Sequence, residues 1–150
     1  MKSIYFSFIF LSVIFLGSCT QSGKKTETEA KGTLVANEKV AKIQVLYFHG
    51  ARQCPSCVAI GAEAQSLLKE NYQSKVDAGE IAFKEINVDE EPNFAIAEKY
   101  QIAGSALLIV KTVNGKEEIT DLTGDGFKLA KNMPDMFKVK VTTSLDVYLK

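Results

Sequence analysis

The sequence predicts an α/β domain built on one central, mixed four-stranded sheet flanked by helices. Three observations carry that expectation. Segments with strand and helix periodicity follow one another as strand, helix, strand, helix, strand, strand, helix. The pair Asn114-Gly115 joins the last two strands as a tight hairpin. The first strand leads through a short loop into a cysteine pair and a helix, so a βαβ unit precedes a ββα unit.

Val40 to Phe48 reads as a buried strand, with Ile43, Val45, Leu46, Tyr47 and Phe48 supplying β-branched and aromatic bulk. His49 to Gln53 is a loop, followed by Cys54-Pro55-Ser56-Cys57. Val58 to Tyr72 places Ile60, Ala64, Leu67 and Leu68 on one helix face, and Gly61 within it marks a bend or a close contact. Ile81 to Val88 is the second strand, broken by Asp89 to Pro92. Asn93 to Tyr100 forms a short helix with Phe94, Ala97 and Tyr100 facing inward. Ser105 to Val113 and Glu117 to Leu122 form the hairpin. Pro134 to Lys150 carries Phe137, Val141, Leu145 and Tyr148 at helical spacing, against the weak helix propensity of its valines and threonines. Phe127 to Phe137, with Met133 and Met136, reads either as a partner surface or as core packing.

The chain has 150 residues, 46% hydrophobic and 24% charged, which sets a prior of one domain. Eighteen basic and eighteen acidic side chains cancel, and there is no basic stripe, so a nucleic-acid partner is not expected. The N-terminus has a different character. Met1-Lys2 is followed by an apolar run from Ile4 to Leu16, shorter than the roughly 20 residues a spanning helix needs. Leu16-Gly17-Ser18-Cys19 then resembles a bacterial lipobox, which implies a signal peptide over 1–18 and acylation of Cys19. A plain secretory signal with an incidental cysteine is the alternative. Residues 19–38, rich in Gln, Ser, Gly, Lys, Thr and Glu, read as a flexible tether, leaving 39–150 as the folded domain. The mature chain is therefore expected in the bacterial cell envelope, lipid-anchored on the periplasmic side of the inner or outer membrane. Disulfides persist there, and the three cysteines divide into one anchor and one pair.

Two cysteines separated by two residues, at the start of a helix, carry the chemistry. The free N–H groups and positive dipole end of the first turn stabilise a thiolate at Cys54, and the thiolate is the nucleophile of disulfide exchange. Cys57, three residues on, shares its helix face and serves as the resolving thiol. Pro55 suits the first helical position. Pro55 and Ser56 between the sulfurs, Arg52 as a nearby cation, and His49 as the sole histidine are the residues placed to tune the pair. A solvated Arg52 and a His49 without duty are the plainer readings.

With these residues in view, Tyr47-Phe48 leading into Cys54-Pro55-Ser56-Cys57 resembles the active-site segment of the thioredoxin superfamily. Ile86 to Pro92 and Lys99-Tyr100-Gln101-Ile102-Ala103-Gly104 resemble that family's second strand, acidic turn, helix and approach to the active site. The resemblance covers Val40 to Leu129 and implies a thioredoxin-like fold with thiol–disulfide oxidoreductase activity. It implies Gly104, Ser105 and Ala106 as the substrate loop, and partners that are extracytoplasmic proteins bearing thiols or disulfides together with a membrane redox partner. No cofactor is expected.

Three departures from the family pattern stand out. The chain's prolines are Pro55, Pro92 and Pro134, so the loop after Gly104 lacks the family's cis-proline. A cis bond at Ala106 would cost about 2.5–4 kcal/mol, and trans is expected. Gln53 stands where the family has tryptophan, and Phe48 where it has a buried acid; Glu63 on the helix could lean back toward the site, a solvated helix glutamate being its plainer reading. Two other function classes stay open: a soft-metal (Cu) handling protein using the two cysteines, and a non-catalytic interaction module with a structural disulfide. A closed structural zinc site is not expected, because the chain has no second cysteine pair.

Overall fold

The computed structural model describes residues 41–150; the expected signal segment 1–18, Cys19 and the expected tether 19–38 lie outside them. Four strands, β1 (Ile43–His49), β2 (Ile81–Asn87), β3 (Ala106–Val113) and β4 (Lys116–Asp121), form one sheet in the order β2-β1-β3-β4. β1 runs parallel to β2 and antiparallel to β3, and β3 antiparallel to β4. A βαβ crossover followed by a hairpin and a closing helix, in this strand order, is the expected thioredoxin-like arrangement.

Strand alternation sorts the core into two faces. Ile43, Val45 and Tyr47 of β1 join Leu107 and Ile109 of β3 on one face, under α1 (Pro55–Asn71) and α5 (Pro134–Leu149). Leu46 and Phe48 join Ile86, Ala106, Leu108 and Val110 on the other, covered by Ile96 and Tyr100 at α3 (Phe94–Lys99). β1 is thus apolar on both faces, which is why its sequence reads as a continuous run.

α1 buries Cys57, Ile60, Gly61, Ala64, Leu67 and Leu68, the three- and four-residue spacing of a single stripe. α5 buries Phe137, Val141 and Leu145 completely. At about 1.5–3 kcal/mol for each large apolar side chain, that burial outweighs the few tenths lost at each β-branched position. Tyr72 at the end of α1 donates to Asp146 on α5 at 2.8 Å and staples the two helices. Asn114 and Gly115 both take positive φ, 52° and 75°, as a two-residue hairpin loop of the primed type requires.

The structure departs from the sequence expectations in four places. His49 ends β1 instead of opening a loop, its carbonyl accepting from Val88 to extend the parallel ladder. Phe94 points outward, 53% exposed, and Ile96 packs inward with Tyr100, while Ala97 is buried as expected. A short helix α2 (Gln73–Asp77) follows α1. Between β4 and α5 a one-turn helix, Thr123–Asp125, runs into a π-helical turn, Gly126–Ala130; together these form α4. That region divides the Phe127 to Phe137 segment: Leu129, Ala130 and Phe137 are core, while Phe127, Met133 and Met136 are exposed.

Candidate redox site

The site lies where the C-terminal end of β1 hands over to α1. Gly50 to Gln53 is a tight link, and Asp89 holds it by accepting the Ala51 N–H at 2.7 Å. Cys54 has extended backbone (φ −77°, ψ 159°) and is the N-cap of α1, with Pro55 in the first helical turn. The Cys57 N–H donates to Cys54 Sγ at 3.1 Å. The sulfur therefore takes the capping role usually filled by a Ser, Asp or Asn oxygen, at the end of the helix where backbone dipoles favour negative charge. Cys54 and Cys57 are joined as a disulfide with Cα atoms 5.0 Å apart. Cys54 is exposed and Cys57 is 7% exposed, so the two sulfurs differ in access as well as position.

Beneath them lies Tyr47, to which the sequence assigned no role at the site. The Tyr47 hydroxyl sits 2.6 Å from the Cys57 carbonyl and 2.8 Å from Gln53 Oε1, sharing one proton between two acceptors. Phe48, expected in the place of a buried acid, faces the opposite side of the sheet, its ring 6.0 Å from that of Tyr100. The side chain that faces the cysteine helix from β1 is Tyr47, because neighbouring strand residues point to opposite faces. Burial, then the Glu85 carboxylate, pushes the Tyr47 hydroxyl up to about 12, so it stays a proton donor at physiological pH. The signal in the sequence was Gly61. A Cβ there would overlap the edge of the Tyr47 ring, so the helix passes the ring only because that position has no side chain.

The other expected site residues fall as follows. The His49 ring lies 5.4 Å from that of Tyr47, Nδ1 meets the Gly50 carbonyl at 2.9 Å and Nε2 lies 3.2 Å from Glu85 Oε1. Both ring nitrogens thus face protein oxygens. Arg52 is exposed, with no ion pair among the described residues. Pro55 is exposed and Ser56 partly buried. Glu63 pairs with Lys138 of α5 at 3.6 Å and so belongs to helix–helix packing. The register sets Ala106 opposite Phe48, which brings Gly104, Ser105 and Ala106 to the same end of the sheet as the cysteine link. All peptide bonds among the described residues are trans. Thr123, not anticipated from the sequence, accepts the Leu107 N–H at 3.1 Å and closes that end of β3. Gly126 packs on Ile60 of α1, behind the cysteines. Among the described residues no three His, Cys, Asp or Glu side chains are grouped to hold a metal ion.

This arrangement can form and break one disulfide between an exposed sulfur and a buried one. Among solved structures the chain is similar to a thioredoxin from Fasciola hepatica, at 22% identity and a TM-score of 0.46, over 75% of this chain and 86% of that one. It is likewise similar to a thioredoxin from Thermus thermophilus, at 16% identity and a TM-score of 0.44, over 69% and 74%. A malarial protein is matched at 18% identity and a TM-score of 0.40, over 66% and 96%. No protein-family model and no curated protein matches the chain. The fold assignment stands on the strand order and register themselves.

Proposed function

We propose that the chain is a membrane-anchored, extracytoplasmic thiol–disulfide oxidoreductase working through the Cys54/Cys57 dithiol. The observation that carries the reading is the exposed Cys54 sulfur capping the N-terminus of α1 within bonding reach of Cys57. In the reducing direction, the Cys54 thiolate attacks a substrate disulfide. A Cys54–substrate disulfide forms, and the displaced substrate sulfur leaves as a thiolate that takes a proton from water. Cys57, deprotonated, then attacks Cys54 Sγ. The intramolecular disulfide forms and the second substrate thiolate departs, leaving the substrate reduced and the protein oxidised by two electrons. A dithiol donor, in our reading a membrane redox partner, restores the pair by the same exchange in reverse. Substrates are extracytoplasmic proteins bearing thiols or disulfides, and Cys19, lipidated, holds the domain at the bacterial envelope.

Full-length protein equilibrated in glutathione redox buffers, with free thiols alkylated and weighed by mass spectrometry, tests this. A cycling dithiol gives a two-electron midpoint between about −120 and −270 mV, the span of known thiol oxidoreductases. A pair still oxidised below about −300 mV would be a structural disulfide, and a copper ion that co-purifies in stoichiometric amount would favour metal handling. Cys54→Ser should abolish insulin reduction; activity that survives it refutes Cys54 as the nucleophile.

A further inference from the structure

We propose that Tyr47 is a positioning residue for this dithiol, its hydroxyl tying the residue before Cys54 to the first turn of α1 so that Cys54 Sγ stays over the helix N-terminus once the disulfide is broken. The inference rests on the thiol–disulfide reading above and deepens it. Tyr47 Oη reaches Gln53, immediately ahead of the cap, and the carbonyl of Cys57, three residues beyond it. One side chain on the rigid central strand thus bridges both ends of the Cys54-Pro55-Ser56-Cys57 segment.

In the oxidised protein the sulfur–sulfur bond already joins those two ends, so the hydroxyl bridge is redundant there. In the reduced protein the covalent link is gone. What then keeps the Cys54 sulfur in the capping position, 3.1 Å from the Cys57 N–H, is the backbone on either side of it. Asp89 holds the link at Ala51, and Tyr47 holds it at Gln53 and Cys57. The bridge therefore favours the reduced, thiolate form over the disulfide. Three further observations show that Tyr47 is set in a fixed pose. Its ring is fully buried between β1 and α1. Gly61 leaves the room that the ring edge fills. The His49 ring stacks on it from the strand end, itself turned by Gly50 and Glu85. The phenol keeps its proton well above neutral pH and so acts as a donor to the helix, not as a base for Cys57.

Tyr47→Phe keeps the ring and deletes only the bridge. The experiment uses the full-length protein in detergent and reads the pH profile of Cys54 alkylation, by mass, and the glutathione midpoint. Loss of one such hydrogen bond should disfavour the reduced state about fivefold. That makes the midpoint about 20 mV more negative, at about 30 mV per tenfold change, and moves the alkylation profile to higher pH. Gln53→Ala should shift both readouts the same way and by less, since it leaves the Cys57 contact. Val110→Ala, a core lesion on the opposite sheet face, should lower stability and leave both readouts at wild-type values. Wild-type midpoint and profile in Tyr47→Phe would overturn the positioning role while the cycling dithiol stands. A shift of the same size in Val110→Ala would overturn it by showing that the readouts follow stability alone. A wild-type protein with no two-electron midpoint would take down the functional reading, and this inference with it.

Discussion

Substituting Gly61 by alanine ordinarily helps a helix: in an exposed helix interior the change gains about 1 kcal/mol. Here the expected sign is reversed. The new Cβ would overlap Cδ1, Cε1 and Cζ of Tyr47, which form the edge of a rigid ring and not the far end of a flexible chain. The ring cannot swing aside without giving up its contacts with the Cys57 carbonyl and Gln53. Overpacking of this kind costs about 1–3 kcal/mol, and the lost hydrogen bonds about 1 kcal/mol more. Net of the propensity gain, Gly61→Ala should destabilise the oxidised protein by about 1–3 kcal/mol. A double-mutant cycle isolates the cause. Tyr47→Val removes all three overlapping atoms while keeping a β-branched residue on the strand, and in that background Gly61→Ala should be neutral or stabilising. The coupling energy between the two sites is then about 1–4 kcal/mol. With no tryptophan in the chain, urea unfolding is best followed by far-ultraviolet circular dichroism. A urea midpoint raised by Gly61→Ala in the otherwise native protein, or additivity between the two substitutions, would refute the packing account.

Tyr47 also predicts an alkaline signature. Its folded-state value of about 12 lies above the ordinary 10.0, so the associated stability is intact below pH 10 and is lost as pH rises through about 12. The full effect is on the order of 3 kcal/mol, and the stability of Tyr47→Phe should fall less than that of wild type across the window; parallel curves would contradict the burial of the hydroxyl. Phe137→Ala empties a fully buried site under α1 and should cost about 3–5 kcal/mol in urea unfolding. A loss below about 1 kcal/mol would mean that α5 does not pack as described. In single-turnover assays, release of the second substrate thiol should quicken as pH rises, because the attacking species is the Cys57 thiolate. A flat profile would reveal a base within reach.

Much of the fold was legible because its signals are local. The Asn114-Gly115 turn, the stripe of α1 and the continuous apolar run of β1 each follow from the sequence period and residue type. The cysteine cap was legible for the same reason: Cys-Pro-x-Cys after a strand places a sulfur at a helix start whatever surrounds it. Where the reading fell short, the deciding partner was distant in sequence. Phe48 and Tyr47 are adjacent and both aromatic, and only the sheet register shows which one faces α1. Phe94 and Ala97 have helical spacing, and only the packing of α3 on the sheet shows that Ile96, not Phe94, joins Tyr100 on the Phe48 face. α4 has a mixed composition and takes its shape from Leu122, Thr123 and Gly126 packing against β3 and Ile60, contacts that no local pattern encodes.

On the proposed function, the exposed capping cysteine and its buried partner bear differently on the two steps of exchange. Attack by Cys54 needs an accessible sulfur stabilised as a thiolate, and the cap, the helix end and the exposed position all supply that. Resolution by Cys57 needs a proton to leave a sulfur that is almost wholly buried. No fully buried acid or base is found among the described residues, and the Tyr47 hydroxyl, 2.6 Å from the Cys57 carbonyl, holds its own proton to about 12. A donor at that position steadies the helix turn but takes nothing from the thiol. On the proposed function, this geometry favours formation of the mixed disulfide over its resolution, and the Cys54–substrate bond is the species expected to accumulate. On that reading, even with Cys57 intact a fraction of Cys54 should be found bonded to substrate at neutral pH, and that fraction should shrink as pH rises.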